Sequence, residues 1–372
     1  MDALIMSCGT GGGHNTAARA IKEEMEKRGF RTVMLNPYTL RSDKLADRID
    51  NSYIEVVKKA PVVFGTVYKA GELYSRLPFH SPVYFVNGSM ISAMEDYLGQ
   101  HSFDVVITTH LYPAEILTNM KRRGMKLPKT IYVATDYVCI PFTEETECDA
   151  YVIPAEDLTD AFAGKGIPRE KIFPLGIPVH SRFSPKISRS EARSQLGITP
   201  EGPILLVAGG SMGGGRIDRM INELDCESFR SRKIEQIIIC GSNRVLYEKL
   251  CRHKIPHRKV IGYTDQMELY LNAADLFLTK PGGLSSTEAA VCGIPMLHMS
   301  AIPGCETSNV KYFSDRGMSI ACRSAEDVIN SSLCMLDDNN LCSDMIRNQK
   351  TNINDHAASL ICDLAERMRC HK

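Results

Sequence analysis

Several segments of this chain carry residue types that could handle a phosphorylated ligand. The first is SCGTGGGHNTAARA, Ser7 to Ala20, which follows a short apolar run at Ala3 to Met6. Ala18, Ile21 and Met25 then recur at helical spacing, and Gly29 closes the helix. Glycines let a ligand approach the backbone closely, and a helix start offers free N–H groups. His14 stands where loop meets helix, directly after Gly12 and Gly13. An imidazole there could act as general base on an acceptor hydroxyl; the competing reading is a structural histidine near a helix start. The spacing departs from the G-x-G-x-x-G dinucleotide pattern, and no acidic residue ends the next strand near Leu35, which argues against a simple NAD site.

The same grammar returns about 200 residues later as VAGGSMGGG, Val207 to Gly215, with five glycines in seven positions around Gly210 and Ser211. A tight turn needs only one or two glycines, so a diphosphate resting on backbone N–H groups at the next helix start is the favoured reading. The third segment runs from Gly262 to Pro295. A strand ends at Thr279, Pro281 to Gly283 turns, and Ser285, Ser286 and Thr287 enter a helix bearing Glu288. Small hydroxyl residues can cap such a helix and bind phosphate. Glu288, one turn in, could accept both hydroxyls of a ribose, or could simply complement the helix dipole. The fourth is AIPGCETSN, Ala301 to Asn309, after a strand ending near Met299. Glu306 and Asn309 could hold sugar hydroxyls there, at a carboxyl end where α/β sheets take ligands; a polar surface loop is the alternative. The fifth, Val56 to Phe85, mixes Lys58, Lys59, Lys69 and Arg76 with Phe64, Tyr68, Tyr74, Phe79, Tyr84 and Phe85. That content suits a membrane interface, and equally a helix with a buried aromatic face.

The elements that must position these residues read as alternating strands and helices. In the first half, strands are expected at Thr32–Leu35, Val105–Thr108, Thr130–Ala134 and Ala150–Ile153. In the second they are expected at Ile204–Ala208, Gln236–Cys240, Lys259–Ile261, Leu276–Thr279 and Pro295–Met299. Alternation of this kind implies parallel sheets with helices on both faces, an α/β fold in two halves that open with the same unit. His110 and Asp136 fall at strand ends and are polar candidates on the first half. The expected division is a first domain over 1–177, a Pro- and Ser-rich linker over 178–203, a second domain over 204–345, and a C-terminal stretch over 346–372 whose helix packs back on the first. The 372 residues suffice for two domains.

Bulk composition narrows the class. The formal net charge is +0, so no global field favours nucleic acid. Thirteen cysteines without a C-x-x-C pair fit reduced thiols. The start MDALIMSCG lacks a basic n-region, and no apolar run reaches the roughly 18 residues of a membrane span. The expected location is cytoplasmic, with any work on lipid done at the inner face of the membrane.

At these residues the chain resembles the monogalactosyldiacylglycerol synthase and processive diacylglycerol glucosyltransferase family. More distantly it is similar to the N-acetylglucosaminyltransferase that makes lipid II. The resemblance rests on GTGGGH…AA together with GY…M…AD…TKPGG…TEA…G-P and PG-x-E…N, and spans roughly Asp2 to Arg323. It implies a GT-B fold, two Rossmann-like domains facing across a cleft, with the acceptor on the first and a UDP-sugar on the second. It implies His14 as base, the diphosphate at Gly210, Ser211, Gly282, Gly283, Ser285, Ser286 and Thr287, and the ribose on Glu288. The uracil would lie along the backbone near Tyr263, and Glu306 and Asn309 would meet the donor sugar or phosphate. Gly12, Gly13, His110 and Asp136 would lie on the acceptor side. Two positions depart from the family: Cys305 stands where PGQE is usual, bearing on the sugar, and Ile140 where a histidine is frequent, bearing on the acceptor.

The implied reaction is inverting transfer of a hexose from a UDP-sugar to a lipid hydroxyl such as diacylglycerol. No D-x-D pair occurs, so no obligatory metal is expected, nor any cofactor beyond the UDP-sugar co-substrate. Expected partners are the donor and a lipid acceptor at the membrane surface, without nucleic acid. A UDP-sugar 2-epimerase of the same fold and a non-catalytic nucleotide-sugar or lipid-binding protein are the alternatives.

Overall fold

The computed structural model describes residues 1–9, 12–50, 61–75, 79–184, 187–210, 217–252, 254–299 and 301–369. The chain divides into two units. One comprises Met1–His180, Pro303–Cys305 and Asn354–Lys372, the other Ser181–Ile302 and Glu306–Ile353.

The first unit is built on six parallel strands: β1 (Asp2–Met6), β2 (Arg31–Leu35), β3 (Val105–Thr108), β4 (Lys129–Val133), β5 (Ala150–Val152) and β6 (Ile172–Phe173). Their order is β2-β1-β3-β4-β5-β6. Register places Ile5 between Met34 and Ile107. Side chains alternate across a strand, so both faces of β1 must be covered. Ala3 and Ile5 pack with Ala18, Ile21, Met25, Ile361 and Leu364 on one face. Leu4 and Met6 pack with Met90, Met94, Ile116 and Met120 on the other.

The second unit repeats the plan with β7 (Ile204–Ala208), β8 (Glu235–Ile239), β9 (Arg258–Ile261), β10 (Leu276–Thr279), β11 (Met296–Met299) and β12 (Ile320–Cys322), in the order β12-β11-β10-β7-β8-β9. All pairs are parallel. Each sheet has one point where strand order reverses, between β1 and β3 and between β7 and β10. Open α/β sheets take their ligands at the carboxyl ends beside such points, because the two neighbouring loops diverge and leave a crevice.

Two boundaries differ from the sequence expectation. The stretch 178–203 is not a free linker, since the second unit begins at Ser181 and Arg189–Gln195 is a helix. Ser188 and Glu191 form a capping box, and Arg189 and Arg193 reach Asp275 at 2.6 and 2.7 Å. The segment is anchored through charge rather than an apolar stripe, which is why its composition reads as a loop. The second unit also continues past 345 to Ile353, through the helix Asn339–Asn352. The helix Ala357–Arg369 belongs to the first unit, with Ile361, Cys362, Leu364 and Ala365 buried. Arg28 binds it through Asp363 at 2.6 Å, Glu366 at 3.0 Å and the Ser359 carbonyl at 3.0 Å.

Candidate functional site

In the first unit the loops after β1, β3 and β4 bring His14, Thr109 and Thr135 together. The helix Gly12–Lys27 starts at Gly12 and Gly13, so His14 lies in its first turn. Its Nδ1 is 2.8 Å from the carbonyl oxygen of Thr109 and 2.9 Å from the Thr135 hydroxyl. A carbonyl can only accept, so Nδ1 carries the proton and Nε2 keeps its lone pair. The Thr109 hydroxyl returns a bond to the His14 carbonyl at 3.0 Å, fixing that turn. Burial holds the His14 pKa below the usual histidine value, against the opposing pull of the Asp136 carboxylate and the Thr109 carbonyl. A histidine so placed is neutral at pH 7 and able to accept a proton.

His110 lies edge-on to His14, ring centroids 4.6 Å apart. It caps the helix Leu111–Arg122, its Nδ1 accepting the Tyr112 N–H at 3.1 Å. Burial and the neighbouring His14 push its pKa well down, so it too is neutral. Asp50 is a residue that the sequence alone did not reveal. It accepts the Gly9 N–H at 2.9 Å, and a side chain at position 9 would collide with its carboxylate. Forty-one positions of sequence separate the two, so no local pattern signals the pairing.

In the second unit the loops after β7 and β10 form the corresponding point. Gly210 has φ +75, a left-handed conformation that glycine alone adopts without cost. The helix Gly283–Cys292 is capped by Gly282, with no side-chain hydrogen bond at the cap. Its first-turn N–H groups are therefore not claimed by a capping side chain, and the positive helix end is available to an anion. Ser285 is partly exposed beside it. Ser211 and the following glycines lie outside the described residues.

The hydroxyls of Ser286 and Thr287 do not serve as expected. Ser286 is fully buried and bonds His298 Nε2 at 2.9 Å, while His298 Nδ1 faces Ser319 at 3.0 Å. Thr287 bonds the Gly283 carbonyl at 2.7 Å. Ser286 thus ties the helix to β11 and Thr287 bonds the helix's own backbone, while the Ser286 N–H is itself taken by the Gly282 carbonyl at 3.0 Å. Asn309, fully buried, donates to the Pro281 carbonyl at 2.9 Å and so shapes the Pro281–Gly283 turn.

Glu288 is partly exposed, and burial raises its pKa to about 8, with Arg182 opposing and Glu268 adding to the shift. Arg182 Nε lies 3.5 Å from Glu268. Arg182 falls in the stretch first read as linker. Glu306 is buried and pairs with Lys280 at 2.7 Å, while its second oxygen accepts the Ile302 N–H at 2.9 Å. Lys280 was missed as a site residue, although its place directly after β10 was the available signal. Tyr263, just past β9, is 72% exposed, leaving its flank open to a flat ring. Among the described residues no cluster of three or more His, Cys, Asp or Glu side chains has a metal-holding arrangement.

Residues 14–179 match the family Monogalactosyldiacylglycerol (MGDG) synthase, and residues 226–352 match Glycosyl transferases group 1. A processive diacylglycerol beta-glucosyltransferase of Bacillus licheniformis is 24% identical over 98% of this chain and 94% of its own length. Its counterpart in Bacillus cereus is 25% identical over 90% of this chain and 85% of its own. Among solved structures, MurG of Acinetobacter baumannii aligns with a TM-score of 0.62 at 16% identity, over 98% of this chain and 99% of that one. The UDP-GlcNAc 2-epimerase of Neisseria meningitidis aligns with a TM-score of 0.63 at 14% identity, over 99% and 100%. Fold likeness thus spans transferases and epimerases alike, whereas the relatives matched along the sequence are named as transferases. The chain is a glycosyltransferase of GT-B fold, similar over residues 14–179 to the monogalactosyldiacylglycerol synthase family and over residues 226–352 to glycosyl transferases group 1.

Proposed function

We propose that this enzyme transfers a hexose from a UDP-sugar to the free hydroxyl of diacylglycerol at a membrane surface, with inversion at the anomeric carbon. The observation that carries the reading is His14, whose Nδ1 is committed to the Thr109 carbonyl and whose Nε2 is left as a proton acceptor. Nε2 takes the proton of the acceptor hydroxyl as its oxygen attacks the anomeric carbon, and the bond from that carbon to the UDP oxygen breaks. The Asp136 carboxylate favours the imidazolium that forms. The leaving diphosphate gathers negative charge, which the helix end at Gly282 and Gly283 meets with preoriented N–H groups beside Gly210 and Ser285. Glu288 takes the ribose hydroxyls, the backbone at Tyr263 the uracil, and Glu306 the sugar; Asn309 acts by shaping the turn.

The lipid acceptor requires a membrane, and no described helix is long and apolar enough to cross one. Among the described residues, four of the seven exposed large hydrophobics, Leu73, Phe79, Phe85 and Val86, fall within residues 73–86. Concentration of this kind marks a contact surface, where scattered single residues would not. Lys69 is exposed on the helix Pro61–Tyr74 in the same region, while Lys58, Lys59 and Arg76 lie outside the described residues. We place this surface on the inner, cytoplasmic leaflet, where basic side chains meet anionic lipid.

The test is UDP release from UDP-glucose, UDP-galactose and UDP-N-acetylglucosamine, with and without vesicles containing diacylglycerol. Release from one donor should require the vesicles. His14→Ala should abolish it while UDP still binds. Undiminished turnover in that variant would sink the base assignment, and release indifferent to diacylglycerol would favour epimerase or hydrolase chemistry.

A further inference from the structure

We propose that Lys280 is the residue that reads the donor's diphosphate, its ammonium being held on Glu306 until a phosphate displaces it. The inference rests on the second unit being the donor site. Lys280 is the first residue past β10, one of the two strands between which the second sheet reverses order. Its stem passes two glycines. A Cβ on Gly210 would lie 3.0 Å from its Cε, and one on Gly282 3.9 Å from its Nζ. The two loops best suited to cradle phosphate are therefore also the walls along which this side chain runs. At the far end Nζ meets Glu306 Oε1 at 2.7 Å, with only 20% and 8% of the two side chains exposed.

The pair is built so that one partner stays and the other can move. Glu306 is tied by its second oxygen to the Ile302 N–H and sits in the first turn of the helix Cys305–Asp315. Lys280 is a single ammonium on a flexible four-carbon stem, able to swing without disturbing β10. A diphosphate resting at Gly282 and Gly283 brings at least two negative charges beside it, outcompeting a single carboxylate. Once the lysine turns, Glu306 regains acceptor capacity for hydroxyls of the donor sugar. Ammonium and carboxylate thus couple phosphate arrival to the opening of a sugar contact.

The experiment is calorimetric titration of the full chain with UDP, UMP and uridine. Lys280→Met should weaken UDP about 10- to 100-fold, the size of one lost charge-assisted contact, while uridine changes by less than about twofold. Lys280→Arg should recover most of the loss. Glu306→Gln, which frees the lysine from its competitor, should bind UDP more tightly than the unaltered chain. Equal weakening of UDP and uridine in Lys280→Met, or no weakening of UDP, overturns the proposal. So does a Glu306→Gln variant that loses UDP as Lys280→Met does, because the pair would then be a structural bridge. Failure of the unaltered chain to bind UDP is a different result, overturning the donor-site reading itself.

Discussion

His14 and Glu288 have their proton affinities pulled in opposite directions, and each shift has a measurable consequence. Burial holds the His14 pKa below its ordinary value, so the acid limb of the rate–pH profile should fall below about 6.5, the unperturbed histidine value. The Asp136 carboxylate raises that pKa. Asp136→Asn should therefore move the limb to still lower pH and lower the plateau rate, because a weaker base takes the proton less well. An unmoved limb would remove Asp136 from the site. Glu288 titrates near 8, so at pH 7 it is largely protonated before a ligand arrives. Ribose hydroxyls donating to it favour the carboxylate, so UDP binding at pH 7 should release a proton. Calorimetry in buffers of different ionisation enthalpy reads that proton, and Glu288→Gln should abolish it. How far such roles could be read in the sequence depends on which atoms carry them. The place of His14 in the first turn of its helix was legible because the glycines before it mark the loop-to-helix junction. Ser286, Thr287 and Asn309 were legible as positions but not as roles, since packing turned their polar atoms inward to His298, Gly283 and Pro281.

At the scale of elements, both candidate sites follow from one rule, that loops diverge where strand order reverses. The pattern of apolar runs marked ten of the twelve strands. It missed β6 and β12, which have two and three residues, too short for any periodicity to show. It also missed the helix Arg189–Gln195, although Ser188 and Glu191 stand at the spacing of a capping box. What no pattern could supply was the sheet order, and hence which loops become neighbours, because parallel pairing joins residues far apart in sequence. Gly210 offers a test at this scale. Gly210→Ala forces a Cβ into a left-handed conformation at about 1–2 kcal/mol and presses it on Lys280, so both thermal stability and UDP affinity should fall. Unchanged affinity would mean that the loop's shape is irrelevant to the donor.

For the whole molecule, the instructive element is the helix Ala357–Arg369, which completes the first unit after the chain has built the second. Ile361 is fully buried there against Ile5 and Ile21. Ile361→Ala should cost about 2–5 kcal/mol, a large share of a domain's stability. Hydrogen exchange should show faster exchange at β1, β3 and β4 and no change at β7 or β10. Acceleration in both sheets alike would mean that the two units unfold together. The return of this helix also sets an order of assembly on the ribosome. Residues 181–353 must be synthesised before the helix exists, a delay of roughly ten to thirty seconds at ordinary elongation rates. Throughout that interval one face of the nascent first sheet, with Ala3, Ile5, Val105 and Ile131, has the helix Gly12–Lys27 but lacks the rest of its cover. The half of the protein that is made first is therefore finished last, and it is the half that a cell's chaperones would have to shield.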